Sequence, residues 1–187
     1  MYKNSLFVGS GDGRIKKLIG ESTKYVLDKE VLIEGRIMSL SLNQEGKELL
    51  VGSSTGKVLR SFAGDLSTAI ISEGHIDQIG QVSFKRGTTE YFATIDYAGI
   101  ILVWDINTLS VITRCSPTAL NKPKGKCLCI ADDDTIVSGW GDGFIRCFEI
   151  SKSKNSSMKW EIVNAHRGAV TCVYAVINLI LSFILID

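Results

Sequence analysis

The sequence predicts an all-β chain built from about four repeated units, each of about four short strands. Three observations favour this class: segments in which apolar and polar residues alternate, glycines that recur at a nearly constant interval, and no convincing helical period. The composition agrees, because 18 glycines accompany 45% apolar residues in a chain of 187. A disordered chain, a collagen-like fibre and a coiled coil are therefore disfavoured.

The repeat is defined by glycines that each follow an apolar run and precede a β-branched residue by two positions. These turn glycines are separated by 43, 43 and 44 residues. They are Gly13, Gly56, Gly99 and Gly143. A unit of this length with four short strands is typical of a β-propeller, in which sheets stack around an axis. We expect residues 1–172 to form about four four-stranded blades of a larger propeller, of which the first lacks its innermost strand.

The strands within a unit follow from alternation on both sides of the turn glycine. In the second unit, residues 37–42 and 57–62 alternate apolar and polar side chains, and residues 69–72 form an outer strand. Glycine suits the hairpin between strands, because a tight turn requires a positive φ that costs other residues energy.

The third unit carries a resemblance to the WD-repeat family. Gly74-His75 stands 30 residues before Trp104, and Trp104-Asp105 closes the unit, which resembles the Gly-His and Trp-Asp signature of that family. The resemblance implies that His75, Thr94 and Trp104 join in a hydrogen-bonded network that makes the blade rigid. The family network also contains a turn aspartate, and Ala98 stands at the position expected for it. In the fourth unit, the tryptophan position holds a phenylalanine, and no histidine is paired with it.

A narrower resemblance covers residues 5–172 and is to a member of the family from the ciliary axoneme. It rests on the segments Leu6–Gly11, Gly46–Gly52, Thr89–Thr94, Ile136–Phe148 and Asn164–Thr171. It implies a microtubule inner protein that binds and stabilises ciliary and flagellar doublet microtubules. The implied partners are tubulin and other microtubule inner proteins, and the implied location is the cytoskeleton of the cilium or flagellum. The alternative is a soluble WD-repeat adaptor that recruits peptide partners through the propeller face.

Catalysis is not expected of this chain. The net charge of +1 argues against nucleic-acid binding, and five cysteines with two histidines form no metal-ligand spacing. Glycine-rich residues 9–13 and 52–57 resemble phosphate-binding loops, but strands rather than helices follow them. We therefore expect no catalytic residue, no cofactor and no metal.

Two features could bind a partner. Trp140 lies between two glycines, so it could be an exposed anchor or be buried between blades. Lys122, Lys124 and Lys126 form a basic stretch that suits an acidic partner such as tubulin, or an ordinary solvated loop.

Residues 173–187 form an apolar tail, since no charge occurs from Gly168 to Ile186. Three interpretations stay open: a membrane anchor, a buried strand pair, or the product of a truncated or read-through reading frame. Only about 14 residues are spare after the last repeat strand, and a membrane helix needs about 20. A membrane partner is therefore not expected.

Overall fold

The computed structural model describes residues 4–72, 74–85, 90–117, 123–132, 134–151, 156–176 and 179–183. These residues form seventeen strands and no helix. The strands are β1 (Ser5–Gly9), β2 (Arg14–Glu21), β3 (Lys24–Leu32), β4 (Ile37–Leu42), β5 (Glu48–Ser53), β6 (Val58–Phe62), β7 (Thr68–Ser72), β8 (Ile79–Phe84), β9 (Tyr91–Asp96), β10 (Ile101–Asp105), β11 (Val111–Cys115), β12 (Gly125–Asp132), β13 (Thr135–Trp140), β14 (Ile145–Glu149), β15 (Met158–Ile162), β16 (Cys172–Val176) and β17 (Leu179–Phe183).

The strands form five antiparallel sheets in chain order. The second, third and fourth sheets contain β4 to β7, β8 to β11 and β12 to β15. The first contains β1 to β3 and the fifth contains β16 and β17. The turn glycine Gly13 follows β1 as Gly56 follows β5, so β1 corresponds to the second strand of a complete sheet. The all-β class and the four-stranded unit are confirmed, and the first sheet has no inner strand among the described residues.

The innermost strands of neighbouring sheets lie side by side and share hydrogen bonds. The backbone N–H groups of Val82 and Phe84 on β8 donate to the hydroxyls of Ser39 (3.1 Å) and Ser41 (3.2 Å) on β4. The N–H of Leu128 on β12 donates to Gln81 Oε1 at 2.9 Å. Side chains of one sheet thus satisfy the free edge of the next, which would otherwise carry unpaired donors.

Both faces of the middle sheets are buried, as the stacking of sheets requires. On β5, Leu49 and Val51 pack toward the first sheet, whereas Leu50 packs toward the third. Between the third and fourth sheets, Trp140 and Phe148 are fully buried. Burying a side chain of this size is worth about 2 kcal/mol, so the contacts between sheets stabilise the fold.

The apolar tail begins inside a strand. β16 runs from Cys172 to Val176. It therefore crosses the predicted boundary between the repeats, which end at residue 172, and the tail. Val173 is buried against the fourth sheet, and β17 pairs with β16 as a hairpin. The described tail residues therefore form two paired strands. None of the described residues belongs to a helix long and apolar enough to cross a membrane.

Candidate functional site

All four turn glycines have the left-handed backbone that the repeat predicts. Their φ angles are 84° at Gly13, 78° at Gly56 and Gly99, and 81° at Gly143. Each closes a tight turn by donating its N–H to the carbonyl three residues earlier, for example from Gly56 to Ser53 at 3.3 Å. A residue with a Cβ would pay about 1 kcal/mol or more in this conformation, so the turns select glycine.

A second reason for glycine is visible only in the structure. The turns at Gly13, Gly56 and Gly143 pack against the loop that leads into the following sheet, and a Cβ at Gly56 would lie 2.7 Å from the carbonyl oxygen of His75. Gly13 meets the Ile33 carbonyl at the same distance, and Gly143 would collide with the carbonyl of His166. The His166 N–H donates to the Gly143 carbonyl at 3.0 Å. The turn glycines therefore also tie neighbouring sheets together.

The third sheet contains a buried network of four polar side chains. His75 lies in the loop before β8, and its Nε2 lies 2.7 Å from the hydroxyl of Thr94 on β9. The indole N–H of Trp104 on β10 donates to the same hydroxyl at 2.8 Å. His75 Nδ1 lies 2.7 Å from a carboxylate oxygen of Asp96. Because a carboxylate only accepts, Nδ1 carries the proton, and in a neutral ring Nε2 accepts from Thr94.

The aspartate of this network is Asp96 and does not come from the turn position that Ala98 occupies. Asp96 ends β9, two residues before Ala98, and its other oxygen accepts the N–H of Ile100 at 2.8 Å. The carboxylate thus joins the network to the turn that contains Gly99. All four polar side chains are buried or nearly so, and each has a partner, which is the condition for a stabilising buried network.

The two residues that flank the network have local roles. Gly74 is exposed at the start of the loop that carries His75. Asp105 ends β10, and its carboxylate accepts the N–H groups of Asn107 and Thr108, both at 2.8 Å. These backbone hydrogen bonds hold the pKa of Asp105 below its ordinary value. Asp105 therefore caps a turn.

In the fourth sheet the tryptophan occupies a different strand. Trp140 ends β13 at the position equivalent to Asp96, and its indole N–H donates to Ser138 at 2.9 Å. Phe148 fills the place that Trp104 has in the third sheet. The Arg146 guanidinium lies 5.2 Å from the Trp140 ring centre and pairs with Asp142 at 2.7 Å. Trp140 is 0% exposed, so the interpretation as an exposed partner anchor is wrong.

The basic stretch meets an aromatic ring. Lys126 Nζ lies 4.1 Å from the centre of the Tyr97 ring, and Lys124 Nζ lies 5.7 Å from it. Lys122 lies outside the described residues. Tyr97 follows β9, and its N–H donates to the Gln78 carbonyl at 3.0 Å, which places the cluster on the edge formed by the turns. We call Tyr97, Lys124 and Lys126 the basic cluster.

The buried histidine and the buried thiols are poorly placed to react with a substrate. Both ring nitrogens of His75 are occupied by hydrogen bonds, which leaves no free nitrogen for a substrate. Burial raises the pKa of the Cys115 thiol to about 11 and that of Cys127 to about 12, so both are poor nucleophiles near neutral pH. Among the described residues, no group of three or more His, Cys, Asp or Glu could hold a metal ion.

Comparison with curated sequences confirms the resemblance to WD-repeat proteins. The chain is 31% identical over 171 residues to cilia- and flagella-associated protein 52 of Homo sapiens, and 30% identical over 174 residues to that of Chlamydomonas reinhardtii. Each match covers 90% of this chain and 26% of the relative, so the chain spans about a quarter of their length. WD repeat-containing protein 90 of Mus musculus is 26% identical over 170 residues. No model of a known protein family matches the sequence.

A solved structure supports the fold. The computationally designed Ika8 protein, which is β-propeller-like, matches with a TM-score of 0.72 at 19% sequence identity. The match covers 96% of this chain and 52% of the designed one. At this identity the likeness concerns the fold alone.

Proposed function

We propose that this chain is a non-enzymatic WD-repeat scaffold of cilia and flagella that binds and stabilises doublet microtubules. The observation that carries the proposal is the similarity, over 90% of the chain, to proteins named cilia- and flagella-associated protein 52 in organisms as distant as Homo sapiens and Chlamydomonas reinhardtii. The proposed location is the axoneme, and the proposed partners are tubulin and other proteins on the lumenal face of the doublet wall.

The structure supports a scaffold because its polar groups are used to hold the sheets in place. The His75 network lies inside the third sheet, and the turns at Gly13, Gly56 and Gly143 pack closely on the loop that follows their own sheet. A surface held rigid in this way loses little conformational entropy when it binds over a large area. A scaffold needs such a surface and no catalytic constellation.

The basic cluster supports an acidic partner. Lys124 and Lys126 bring two positive charges to the Tyr97 ring on the turn edge. An aromatic ring with adjacent cations can contact an acidic segment through both charge and stacking. We therefore propose that the acidic surface of tubulin contacts this edge.

Localisation and extraction test the proposal directly. A fluorescently tagged chain expressed in ciliated cells should follow the ciliary shaft and stay with axonemes that are washed in high salt. A tagged β-propeller of similar size and unrelated sequence serves as the control. Release of the chain from axonemes in mild salt, while the doublets stay intact, would contradict binding inside the doublet lumen.

Charge reversal tests the contact with tubulin. The double variant Lys124→Glu and Lys126→Glu should weaken co-sedimentation with microtubules by about tenfold, because two charge-assisted contacts are lost. The matched control, Lys24→Glu with Lys47→Glu, changes the net charge equally at exposed positions away from the cluster. An equal loss in both variants would show that net charge alone governs binding.

A soluble adaptor is the second candidate, and one observation favours it. Ile76 is 84% exposed in the loop before β8, on the same edge as Tyr97. An exposed aliphatic side chain on the same edge as an aromatic ring and lysines is a suitable peptide-docking surface. A diffuse cytosolic signal with no retention in axonemes would favour the adaptor over the scaffold.

A further inference from the structure

The outer edge of the second sheet carries backbone groups that no other described strand uses. β7 pairs with β6 on one side, and among the described residues no strand lies along its other side. The second sheet has all four strands and lies between two other sheets in chain order. This edge is therefore unrelated to the ends of the chain. The free edge of a sheet is a template for pairing with another strand.

The sequence of β7 differs from that of the other outer strands in its charge. The outer strands of the first, third and fourth sheets expose charged side chains, which protect an edge against pairing. They are Lys24, Asp28, Lys29 and Glu30 on β3, Arg114 on β11, and Lys159 and Glu161 on β15. β7 reads Thr-Ala-Ile-Ile-Ser and contains no charge. Among the described outer strands of these four sheets, only β7 lacks this protection.

The pairing with β6 shows which backbone groups of β7 point away from the sheet. The N–H of Phe62 donates to the Ser67 carbonyl at 2.9 Å, so Ser67 faces β6. The direction of the backbone groups alternates along an antiparallel strand, so Ala69 also faces β6. The irregularity in this pairing lies beyond Ile70. Thr68 and Ile70 therefore direct their N–H and C=O groups outward.

The outward groups are symmetric about Ala69. When a second β7 lies antiparallel beside the first, Thr68 of each copy faces Ile70 of the other, and Ala69 faces Ala69. Each Thr68–Ile70 pair exchanges two backbone hydrogen bonds. The two Ala69 residues form a pair without hydrogen bonds, in which opposite side chains approach most closely. The small methyl group of alanine fits this close approach.

The side chains at this edge are accessible to a second strand. Ala69 is exposed, and Ile70 is 52% exposed. Thr68 and Ile70 share one face of the sheet, so Ile70 of one copy would lie beside Thr68 of the other. Pairs of β-branched residues on neighbouring strands stabilise an antiparallel sheet. The edge thus matches its own sequence in backbone groups, side-chain size and charge.

We propose that two copies of this chain pair edge to edge through β7, antiparallel and about a two-fold axis at Ala69. The second sheets of the two copies form one continuous sheet across the axis. Each copy contributes the same strand, so the contact is closed and the assembly stops at a dimer. The proposed occupant of the edge is a second copy, because the strand is uncharged and its outward groups match themselves about Ala69.

Sedimentation of the 187-residue chain tests this inference. The unaltered chain should be a dimer at about 100 μM, as suits a small contact. Ala69→Glu and Ala69→Lys should each weaken the association about tenfold or more, because each places two like charges directly opposite one another. Val111→Glu is the matched control, since Val111 is 45% exposed on the outer strand β11. Its dimer should be unaffected, and circular dichroism establishes that each variant is folded.

A mixing experiment identifies the residue on the axis. An equimolar mixture of Ala69→Glu and Ala69→Lys places opposite charges across the axis, so it should form a heterodimer although each variant alone is monomeric. Dimers that persist in both single variants, or a mixture that stays monomeric, would overturn the proposal. An unaltered chain that is monomeric at about 100 μM would also overturn it, and a strand of another protein would then be the candidate for this edge.

Discussion

At the residue scale, one hydroxyl organises the polar interior of each of two sheets. Thr94 bonds to both His75 and Trp104 in the third sheet, whereas Ser138 bonds to the Trp140 indole in the fourth. The indole donor comes from β10 in one sheet and from β13 in the other. The hydroxyl therefore occupies the same position in both sheets, whereas the indole N–H that donates to it comes from a different strand in each.

The variant Thr94→Val should cost more stability than Ser138→Ala. Thr94→Val keeps the shape but leaves buried groups of His75 and Trp104 without a partner, so we expect a loss of about 3 kcal/mol. Ser138→Ala leaves one indole N–H unpaired and should cost about 1–2 kcal/mol. Urea denaturation gives both free energies of unfolding. Equal losses would show that His75 does not depend on Thr94.

The variant Gly143→Ala should be more damaging than the same change at another left-handed glycine. Gly46 has a φ of 70° and open space where a Cβ would lie, so Gly46→Ala pays only the conformational cost, about 1 kcal/mol. At Gly143 the Cβ also collides with the His166 carbonyl, and we expect about 3 kcal/mol. Gly11→Ala, which meets neither constraint, should be neutral. The melting temperatures of the three variants rank these costs. Equal decreases in melting temperature for Gly143→Ala and Gly46→Ala would contradict the role of Gly143 in packing against His166.

At the element scale, the inner strands depend on side chains for their edge hydrogen bonds. Ser39 and Ser41 on β4 accept N–H groups from β8, 43 residues further along the chain. Alternation predicts that these serines belong to a strand. It does not predict that their hydroxyls serve the neighbouring sheet, because sequence alone does not define how two sheets are aligned.

The double variant Ser39→Ala and Ser41→Ala should loosen the contact between the second and third sheets. Each change removes one acceptor, so we expect a loss of about 1 kcal/mol per serine. Hydrogen exchange should accelerate at the amides of Val82 and Phe84 and stay unchanged at Leu128, whose acceptor is Gln81. Ser83→Ala is the control, because the Ser83 hydroxyl donates to the carbonyl of the adjacent Phe84. Unchanged exchange at Val82 would contradict the role of the serines.

At the scale of the whole molecule, the stacked sheets bury thiols that titrate only when the chain unfolds. Burial raises the pKa of Cys115 to about 11 and of Cys127 to about 12, from an ordinary value near 9. Above pH 9 the unfolded chain releases these protons while the folded chain keeps them. Proton release then favours the unfolded state.

The free energy of unfolding should therefore be unaffected by these thiols below pH 8 and fall as the pH rises from 9 toward 11. Urea denaturation at a series of pH values measures the slope. The double variant Cys115→Ala and Cys127→Ala should have a shallower slope than the unaltered chain. Identical slopes in the two proteins would show that the two thiols are not buried in the folded state.

The sequence by itself determined the strands, the turns and the repeat. Turn glycines 43 or 44 residues apart and alternating apolar residues are local patterns, and hairpins between adjacent strands form from local sequence. The WD-repeat resemblance likewise predicted His75, Thr94 and Trp104 as a group. These features could be predicted because each depends on residues within one unit.

Only the tertiary structure decided how neighbouring units share their residues. It identified Asp96 as the fourth member of the network, buried Trp140 between sheets, and placed Lys124 and Lys126 beside Tyr97. Each depends on the approach of segments that lie far apart in the chain or on the direction of a side chain at a strand end. The periodicity of the sequence shows which face of a strand a residue occupies. It does not show which other segment of the chain packs against that face.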